Sequence, residues 1–402
     1  MAIITFLASL SLESPNGIGR YFPIAKELVK KGHHVNIIAL HHNFKSLKEK
    51  SFVKEGVDIY YVGQMQVLKI NDTKIYLNKL QLIKTVFLST LKMCLKSLSL
   101  KSDVIYLFKP QPINGTAALL TKLLKRKKLF VDCDDYEALS NKLSKLEKAA
   151  FMLFEDKLPK LADKVTIHNS FLKERYQNLG IKEKNLIYLP NGIDVERFEN
   201  VDEDKILKLK EEFNLKDKKV VLYFGSLSLK SGHTIDLLLK SFVLVKRKIK
   251  NSVLMLVGGG EDIELLKKYS NNLGINSIIF TGRVDANEIP NYIKLGDVTV
   301  DPIEDSFANR ARSPLKIVES MALGVPVVTG DVGDRRKITK GKTAVLVKAG
   351  DKKELAEGII KILSDDKLAK KISEDSLKLV KNYQWRKLTN IVHNLIDSNN
   401  SL

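Results

Sequence analysis

The chain has 402 residues, of which 44% are hydrophobic and 28% charged, and its formal net charge is +20. The length exceeds that of one ordinary domain and predicts two, and the composition excludes an intrinsically disordered chain. The excess of positive charge indicates an anionic partner, which would be nucleic acid, an acidic membrane or a phosphorylated substrate.

Two further features bear on where the protein works. The only cysteines, Cys94 and Cys133, have no metal-ligand spacing, which favours a reducing cytosol over secretion. Residues 1–10 predict a buried strand rather than a signal peptide, and no run reaches the roughly 18 uncharged apolar residues of a membrane-spanning helix. We therefore expect a cytoplasmic protein.

Both halves of the chain alternate short apolar runs with helical segments. The runs that predict strands are residues 3–8, 33–40, 57–62, 103–108, 128–133 and 164–169, then 219–227, 252–260, 277–284, 297–303, 325–330 and 343–348. Such alternation is typical of parallel sheets covered by helices. Ligands bind beyond the carboxyl ends of such strands. We therefore predict an α/β protein with two Rossmann-like domains that face a central cleft.

One segment of the first half, residues 68–101, departs from this pattern. Apolar residues recur there at helical spacing among lysines, and no acidic residue occurs between Asp72 and Asp103. A basic amphipathic helix binds an anionic membrane surface, gaining about 1 kcal/mol for each lysine near the headgroups. The alternative is that the apolar face packs on the sheet and leaves the lysines in water. We expect contact with an anionic membrane.

The second half contains a charged run that begins at residue 310. Pro314 lacks a backbone N–H and has a preset helical φ, so it suits the first position of a helix, with Ser313 as its N-cap. The start of such a helix offers unpaired N–H groups to a phosphate, and Arg310 and Arg312 would add donors.

Lys316 and Glu319 share one face of the same predicted helix because they are three residues apart. Helical side chains lean toward the N-terminus, so Glu319 would reach whatever binds at the helix start. A carboxylate beside a diphosphate suits neutral hydroxyls, such as those of ribose. The alternative is a solvated helix end with an ordinary surface glutamate.

Four segments, taken in order, carry a resemblance to a known family. They are "SPNGIGRYFPIAKELVKKGHHVNII", "NSFLKERYQNLGIKEKNLIYLPNGIDVERF", "SVLMLVGGGEDIELLKKYSNNLGINSIIFTGRV" and "PLKIVESMALGVPVV", followed by "YQW" near the C-terminus. The chain resembles the retaining glycosyltransferases of the GT-B fold, family four, which use nucleotide-sugar donors. The resemblance implies an N-terminal domain over residues 1–189, completed by a helix at about 383–402 that crosses back, and a donor-binding domain over residues 190–382.

The resemblance also implies roles for particular residues. Glu319 matches the second glutamate of the family's Glu-x7-Glu motif, which holds the donor ribose. The other residues that it places in donor binding are Ser313, Leu315, Lys316, Gly225, Ser226, Arg283 and Val284. The loop that approaches the donor phosphates and shapes the acceptor site would contain Gly17, Gly19 and Arg20.

This chain departs from the family pattern at three positions of the donor site. Ala311 replaces the first motif glutamate, and Ser226 and Ser231 stand where the family usually has an arginine and a lysine that face the diphosphate. We predict that other cations replace the missing charge. They are Arg310 and Arg312, together with Lys230 or Lys316.

A further departure concerns "VDCDDYEAL" at residues 131–139, where the family commonly has a histidine near the donor sugar. Asp134 and Asp135 are predicted to act there as catalytic residues, by binding sugar hydroxyls or by stabilising positive charge at the anomeric carbon. The alternative is an aspartate that caps the following helix. Asp132 and Asp134 have the spacing of a metal-binding Asp-x-Asp, but the surrounding architecture differs, and we expect neither a metal nor another cofactor.

The histidines are interpreted as loop or surface residues, because His33, His34, His41 and His42 have no carboxylate at metal-ligand spacing. The sequence predicts a glycosyltransferase, peripheral on the inner face of the cytoplasmic membrane, that moves a sugar from a nucleoside diphosphate donor to a lipid-linked or cell-surface glycan acceptor. Retention of configuration follows from the resemblance only. The alternatives are a non-catalytic partner subunit with a degenerate donor site and an epimerase-like nucleotide-sugar enzyme. Nucleic-acid binding is not expected, since the lysines are not interleaved with stacking aromatic residues.

Overall fold

The structure is a computed structural model that describes residues 1–70, 73–140, 143–229 and 234–397. The chain divides into two compact units. The first unit comprises Met1–Gly192 together with Trp385–Leu402, and the second comprises Ile193–Gln384. Each unit is a parallel sheet with helices, as the alternation of strands and helices predicts.

The first unit is built on an eight-stranded sheet in the order β10-β9-β8-β7-β1-β2-β4-β3. Its strands are β1 (Ile3–Ala8), β2 (His34–His41), β3 (Ser51–Lys54), β4 (Val57–Gln64), β5 (Val67–Ile70), β6 (Thr73–Tyr76), β7 (Val104–Phe108), β8 (Lys128–Cys133), β9 (Lys164–Ile167) and β10 (Leu186–Tyr188). Only β3 runs antiparallel to its neighbour within this sheet, and β5 and β6 form a separate antiparallel pair. The central strands are apolar runs because both of their faces are buried.

Helices connect these strands. A π-helical turn, Gly17–Tyr21, leads into α1 (Phe22–Lys30), and the later helices are α2 (Lys79–Ser99), α3 (Pro112–Lys125), α4 (Glu137–Ser140), α5 (Lys145–Lys157) and α6 (Ser170–Asn178). There are also two 3-10 turns: Leu158–Leu161 follows α5, and Glu183–Asn185 follows α6. The amphipathic helix predicted within residues 68–101 is α2, which Asn78 and Gln81 start as a reciprocal capping box.

The second unit has a six-stranded sheet in the order β13-β12-β11-β14-β15-β16, and every neighbouring pair is parallel. Its strands are β11 (Lys219–Phe224), β12 (Ser252–Val257), β13 (Ile278–Gly282), β14 (Val298–Asp301), β15 (Val327–Gly330) and β16 (Val345–Val347). Its helices are α7 (Val195–Glu199), α8 (Glu203–Glu212), α9 (Ile235–Lys248), α10 (Ile263–Asn272), α11 (Ile289–Ile293), α12 (Phe307–Arg310), α13 (Leu315–Ala322), α14 (Arg335–Thr339), α15 (Lys352–Ser364) and α16 (Asp366–Leu379), with a 3-10 turn at Val380–Tyr383.

The last helix, α17 (Trp385–Asp397), returns to the first unit. Trp385 is 1% exposed and, with Val392 and Ile396, packs into the core around β1 and β2. Its indole Nε1 donates to the carbonyl oxygen of Gly19 at 3.0 Å. The tryptophan therefore fixes both the helix and the turn that precedes α1.

Both sheets reverse their strand order, between β1 and β7 in the first unit and between β11 and β14 in the second. In open parallel sheets, the two strands on either side of such a point are followed by loops that run in opposite directions. A crevice therefore forms between these loops at the carboxyl ends of the strands. These two edges therefore position the candidate site residues. Among the described helices, none is long and apolar enough to span a bilayer.

Two local predictions were wrong. The N-cap of α13 is Pro314 rather than Ser313, so the helix starts one residue later than predicted. His41 is a strand residue with an exposure of 6%, rather than a loop or surface residue, and His33 lies in a loop as predicted but is buried, with an exposure of 4%. His41 ends β2, and His33 lies just before it, where the neighbouring elements cover both rings.

Candidate functional site

Lys316 is the cation at the carboxyl edge of the second sheet. Its side chain leaves the first turn of α13 and is 15% exposed, with Nζ 4.3 Å from the centre of the Tyr223 ring and 3.6 Å from Oδ1 of Asp301. Burial alone would lower the pKa of Lys316, but the interactions with Tyr223 and Asp301 outweigh it and raise the pKa. The ammonium group is therefore held in its charged form.

Asp301, the last residue of β14, anchors this charge. Its Oδ2 accepts hydrogen bonds from Arg335 Nε at 2.9 Å and from Thr329 Oγ1 at 3.0 Å. Burial raises the pKa of a carboxyl, but the neighbouring cations Arg335 and Lys316 bring the pKa of Asp301 below its usual value. The carboxylate thus keeps two cations at the carboxyl edge of the sheet.

Glu319 lies one turn beyond Lys316 on α13. Burial raises the pKa of the Glu319 carboxyl above its usual value, and the nearby cations Arg197 and Lys316 oppose this rise only in part. Within the residues that the structure describes, no hydrogen bond is made to the Glu319 carboxylate. Its oxygens can therefore accept hydrogen bonds from hydroxyl groups of a ligand.

The two arginines before α13 differ in their surroundings. Arg310 is half-exposed and forms a bidentate pair with Asp305, at 2.6 and 2.7 Å. Arg312 donates to Asn309 Oδ1 at 3.1 Å and acts electrostatically on Tyr223, the ring that Lys316 contacts. Of the predicted replacement cations, Lys316 is the one that the structure buries beside the glycine loop, and Lys230 lies outside the described residues with Ser231.

The loop after β11 brings backbone close to Lys316. Gly225 has φ +136°, and a Cβ placed on it would lie 3.6 Å from Lys316 Nζ. A Cβ on Gly258 would lie only 1.9 Å from the carbonyl oxygen of Gly225, so the two loops can approach this closely only with a glycine at position 258. The Ser226 carbonyl oxygen accepts a hydrogen bond from the Tyr223 hydroxyl at 2.9 Å.

The other predicted donor residues are spread around these loops. Leu315 is the first residue of α13 and is half-buried. Arg283 follows the end of β13, and its Cβ lies 3.3 Å from a Cβ placed on Gly259. Val284 packs against the apolar core of the second unit. Their backbone lies at the carboxyl end of β13, where the resemblance places the nucleotide base.

An acidic cluster, defined here as Lys109, Asp134, Asp135 and Glu137, lies at the carboxyl edge of the first sheet. Lys109 follows β7 in a left-handed conformation, φ +55°. Its Nζ is 2.6 Å from Glu137 Oε1, 3.0 Å from Asp135 Oδ2 and 3.7 Å from Asp134 Oδ1. One cation thus faces three carboxyl groups that follow β8.

Asp134 is 5% exposed, and its Oδ2 accepts a hydrogen bond from Asn16 Nδ2. Burial has the largest effect and raises the pKa of Asp134 to about 7, with Lys109 opposing the rise and Asp132 and Asp135 adding to it. A carboxyl group that titrates near neutral pH can exchange a proton with a substrate, and it can also stabilise developing positive charge.

The acidic cluster contains two residues that the sequence did not predict, Lys109 and Glu137. Gln111 Nε2 donates to Glu137 Oε2 at 2.9 Å, and Glu155 accepts from the Glu137 amide at 2.6 Å. Burial raises the pKa of Glu155 to about 8. The signal that could have found Lys109 is its position directly after the carboxyl end of β7.

Arg20 is engaged by side chains and backbone of its own unit. It is 1% exposed and donates to both oxygens of Asp132, at 2.6 and 2.7 Å, to Asn191 Oδ1 at 2.8 Å and to the Leu189 carbonyl at 3.1 Å. These partners occupy its donors, so the structure assigns Arg20 to holding the turn and β8 together. The Asp132 carboxylate also accepts from Thr166 Oγ1 at 2.5 Å and is fully engaged.

The glycines of the same turn make contacts within their own unit. A Cβ on Gly17 would lie 2.4 Å from the Leu12 carbonyl oxygen and 2.5 Å from that of Ser11. Gly19 offers its carbonyl oxygen to Trp385. Close packing of the turn on its own loop therefore accounts for Gly17 without any ligand.

Comparison with known proteins matches each of the two units to a glycosyltransferase family model. The model of the family described as Glycosyltransferase Family 4 matches residues 15–197, and that of Glycosyl transferases group 1 matches residues 205–378. A GDP-mannose-dependent alpha-(1-6)-phosphatidylinositol monomannoside mannosyltransferase of Mycolicibacterium smegmatis is 30% identical over 190 residues, 46% of this chain and 49% of that protein. The chain therefore spans about half the length of this relative. An uncharacterized glycosyltransferase of Methanocaldococcus jannaschii is 26% identical over 67% of this chain and 68% of its own.

Solved structures share the fold. Sucrose-phosphate synthase from Thermosynechococcus elongatus superposes with a TM-score of 0.77 at 16% identity, and HepE from Anabaena, solved with UDP and glucose, with a TM-score of 0.72 at 19% identity. Each match covers 100% of both chains. At these identities the likeness establishes the architecture alone.

Proposed function

Because the chain belongs to the group 1 glycosyltransferases, we propose that it transfers a sugar from a nucleoside diphosphate-sugar to a lipid-linked or cell-surface glycan acceptor. The observation that carries the proposal is the arrangement on α13. A buried, charged Lys316 faces the glycine loop after β11, and Glu319 lies one turn further along with its oxygens unoccupied within the described chain.

The arrangement suits a diphosphate joined to a nucleoside. The ammonium group of Lys316 and the backbone N–H groups at the start of α13 would bind the phosphates, and Glu319 would accept hydrogen bonds from the ribose hydroxyls. Printed names of similar proteins support this class of donor, since one relative is GDP-mannose-dependent and HepE was solved with UDP-glucose.

For the first unit we propose that Asp134 and Asp135 act on the transferred sugar. Their cluster carries three acidic groups against one lysine, a balance that favours positive charge developing at an anomeric carbon. The diphosphate that leaves could itself accept the proton of the acceptor hydroxyl on the same face. This reaction retains the configuration and needs neither a metal nor another cofactor, and both features belong to the proposal.

We further propose that α2 attaches the protein to the inner face of the cytoplasmic membrane. Its first half exposes Leu80 by 82%, Ile83 by 68% and Phe87 by 66%, so this apolar face does not pack on the sheet. The helix carries lysines and no acidic residue. A groove of about 460 Å³ beside it is lined by Phe44 and Leu95 together with Lys92 and Lys96, which suits an anionic amphiphile.

Calorimetric titration with UDP, GDP and the corresponding sugar nucleotides tests the donor site. Lys316→Met and Glu319→Ala should each weaken binding, by roughly tenfold or more for a charged hydrogen bond. Lys361→Met and Glu357→Ala are matched controls, since both residues are exposed on α15 of the same unit. Binding that both site variants keep would refute the assignment. Failure of every nucleotide to bind would favour the non-catalytic partner subunit.

A further inference from the structure

Three side chains from distant parts of the sequence meet in the first unit: His33, His393 and Asp397. His33 precedes β2, and the other two are one turn apart on α17. Nε2 of His33 lies 2.8 Å from Nδ1 of His393, and Nε2 of His393 lies 3.4 Å from Oδ2 of Asp397. One ligating atom from each residue lies within 4.8 Å of the other two.

The contacts fix where the protons lie. His393 directs Nε2–H toward the Asp397 carboxylate, so its Nδ1 presents a lone pair and accepts the Nε2–H of His33. His33 is 96% buried, and within the described residues its Nδ1 has no hydrogen-bond partner. For Nε2 of His33 to bind a metal, its proton must move to Nδ1, which is available because it has no hydrogen-bond partner among the described residues.

We propose that His33, His393 and Asp397 bind one Zn²⁺ ion, which fastens the C-terminal helix to the first unit. Two imidazoles and a carboxylate form a ligand set that zinc accepts, with water as the fourth ligand. At Zn–N distances of about 2.0–2.1 Å the two nitrogens would stand about 3.3 Å apart, so they must separate by about 0.5 Å. Asp397 is 46% exposed near the end of α17 and can move to the ion.

The surrounding charges set the strength of the site. Lys31 and the N-terminal amino group act electrostatically on His33 and would oppose a cation, whereas the Asp397 carboxylate favours one. The carboxylate is therefore essential to affinity.

A second group of potential ligands, Glu13, His41 and His42, does not offer the same chemistry. The Asn43 amide donates to Nδ1 of His41 at 3.0 Å, so Nε2 must carry the proton and points it at Glu13, 3.6 Å away. His41 thus has no lone pair for a metal. The His33 group also lies at the amino end of β2, at the opposite edge of the sheet from the acidic cluster, and its role is independent of glycosyl transfer.

Titration of the metal-free full chain with ZnCl₂, measured by calorimetry, tests the site. We expect one bound equivalent, and we expect zinc to raise the Tm reported by Trp385 fluorescence, because this tryptophan is on the helix that the ion would fasten. His393→Ala and Asp397→Asn should each weaken zinc binding by about tenfold or more. His34→Ala is the matched control, since His34 is 45% exposed and contacts Asp58 instead.

Two results would overturn the proposal: no bound zinc, or zinc binding unchanged in His393→Ala. If binding is kept in His393→Ala but lost in His42→Ala, the ion belongs to the second group instead. The His393 side chain is 29% exposed, so its truncation should leave the fold intact, which circular dichroism verifies. His33→Asn provides a second variant at the buried position. A rise in Tm that persists in both site variants would place the zinc elsewhere.

Discussion

Replacing Asp134 by asparagine tests whether burial holds this carboxyl group in its neutral form. The pKa of Asp134 is raised from 3.8 to about 7, so the folded protein keeps a proton that the unfolded chain releases at much lower pH. The folded state therefore binds more protons between these values, and the wild-type protein loses stability as the pH rises through that window. By about pH 8 both states are ionised, and the loss stops.

The size of the effect follows from the pKa values. Each pH step inside the window is worth about 1.4 kcal/mol, so the wild type should lose about 2 kcal/mol through Asp134 between pH 5 and pH 7, and about 3 kcal/mol by pH 8. Asparagine does not titrate and can still accept the hydrogen bond from Asn16. The free energy of unfolding of Asp134→Asn, relative to wild type, should accordingly rise by about 3 kcal/mol from pH 5 to pH 8.

Urea unfolding at the two pH values measures this difference. Trp385 is the only tryptophan, is 1% exposed and belongs to the first unit, so its fluorescence reports the unit that contains Asp134. Glu174→Gln, an exposed carboxyl group on α6, is the control and should show a difference that does not depend on pH. A relative stability of Asp134→Asn that is equal at both pH values would refute the argument from burial.

Three further predictions concern other parts of the chain. Arg20→Met should destabilise the first unit by about 3–5 kcal/mol, because it leaves Asp132 buried without its partner, and nucleotide affinity should stay unchanged. A loss of nucleotide affinity without a loss of stability would instead show that Arg20 binds the ligand. Phe87→Ser should weaken sedimentation with phosphatidylglycerol vesicles by about tenfold, and Leu207→Ser, which is 59% exposed against 66% for Phe87 but lies in the second unit, should not. Equal binding to uncharged phosphatidylcholine vesicles would contradict the proposed role of the lysines. Gly17→Ala should lower the free energy of unfolding by about 1–3 kcal/mol, since the added Cβ would lie 2.4 Å from the Leu12 carbonyl oxygen. An unchanged urea midpoint would show that the turn can move to accommodate the Cβ.

The fold could be predicted because its central strands are buried on both faces and appear as continuous apolar runs. Every predicted strand is present. The strands that were missed are short and lie at edges or outside the main sheets. β3 is a four-residue edge strand with exposed side chains, β10 has three residues, and β5 and β6 form a separate pair. Their pairing depends on neighbours in space rather than on a local pattern.

The candidate site was less predictable, because a motif locates a residue but does not show which partners it has. Arg20 lies in the turn that the sequence indicated, yet Asp132, distant in sequence, occupies its guanidinium group. Lys109 carries no motif, and only the folded sheet brings it to Asp134. His33 likewise appeared to lack a carboxylate partner until α17 brought His393 and Asp397 beside it.

The local balance of charge predicts which sign of charge each sheet edge would bind, whereas the net charge of the whole chain does not distinguish the two edges. At the second sheet, Lys316 and Arg335 share the buried carboxylate of Asp301, so an anion that enters beside Lys316 is favoured. At the first sheet, one lysine faces three carboxyl groups, so positive charge is favoured there instead. Removing Lys316 should therefore weaken the binding of a nucleoside diphosphate, whereas removing Lys109 should leave that binding unchanged and impair only the transfer of the sugar.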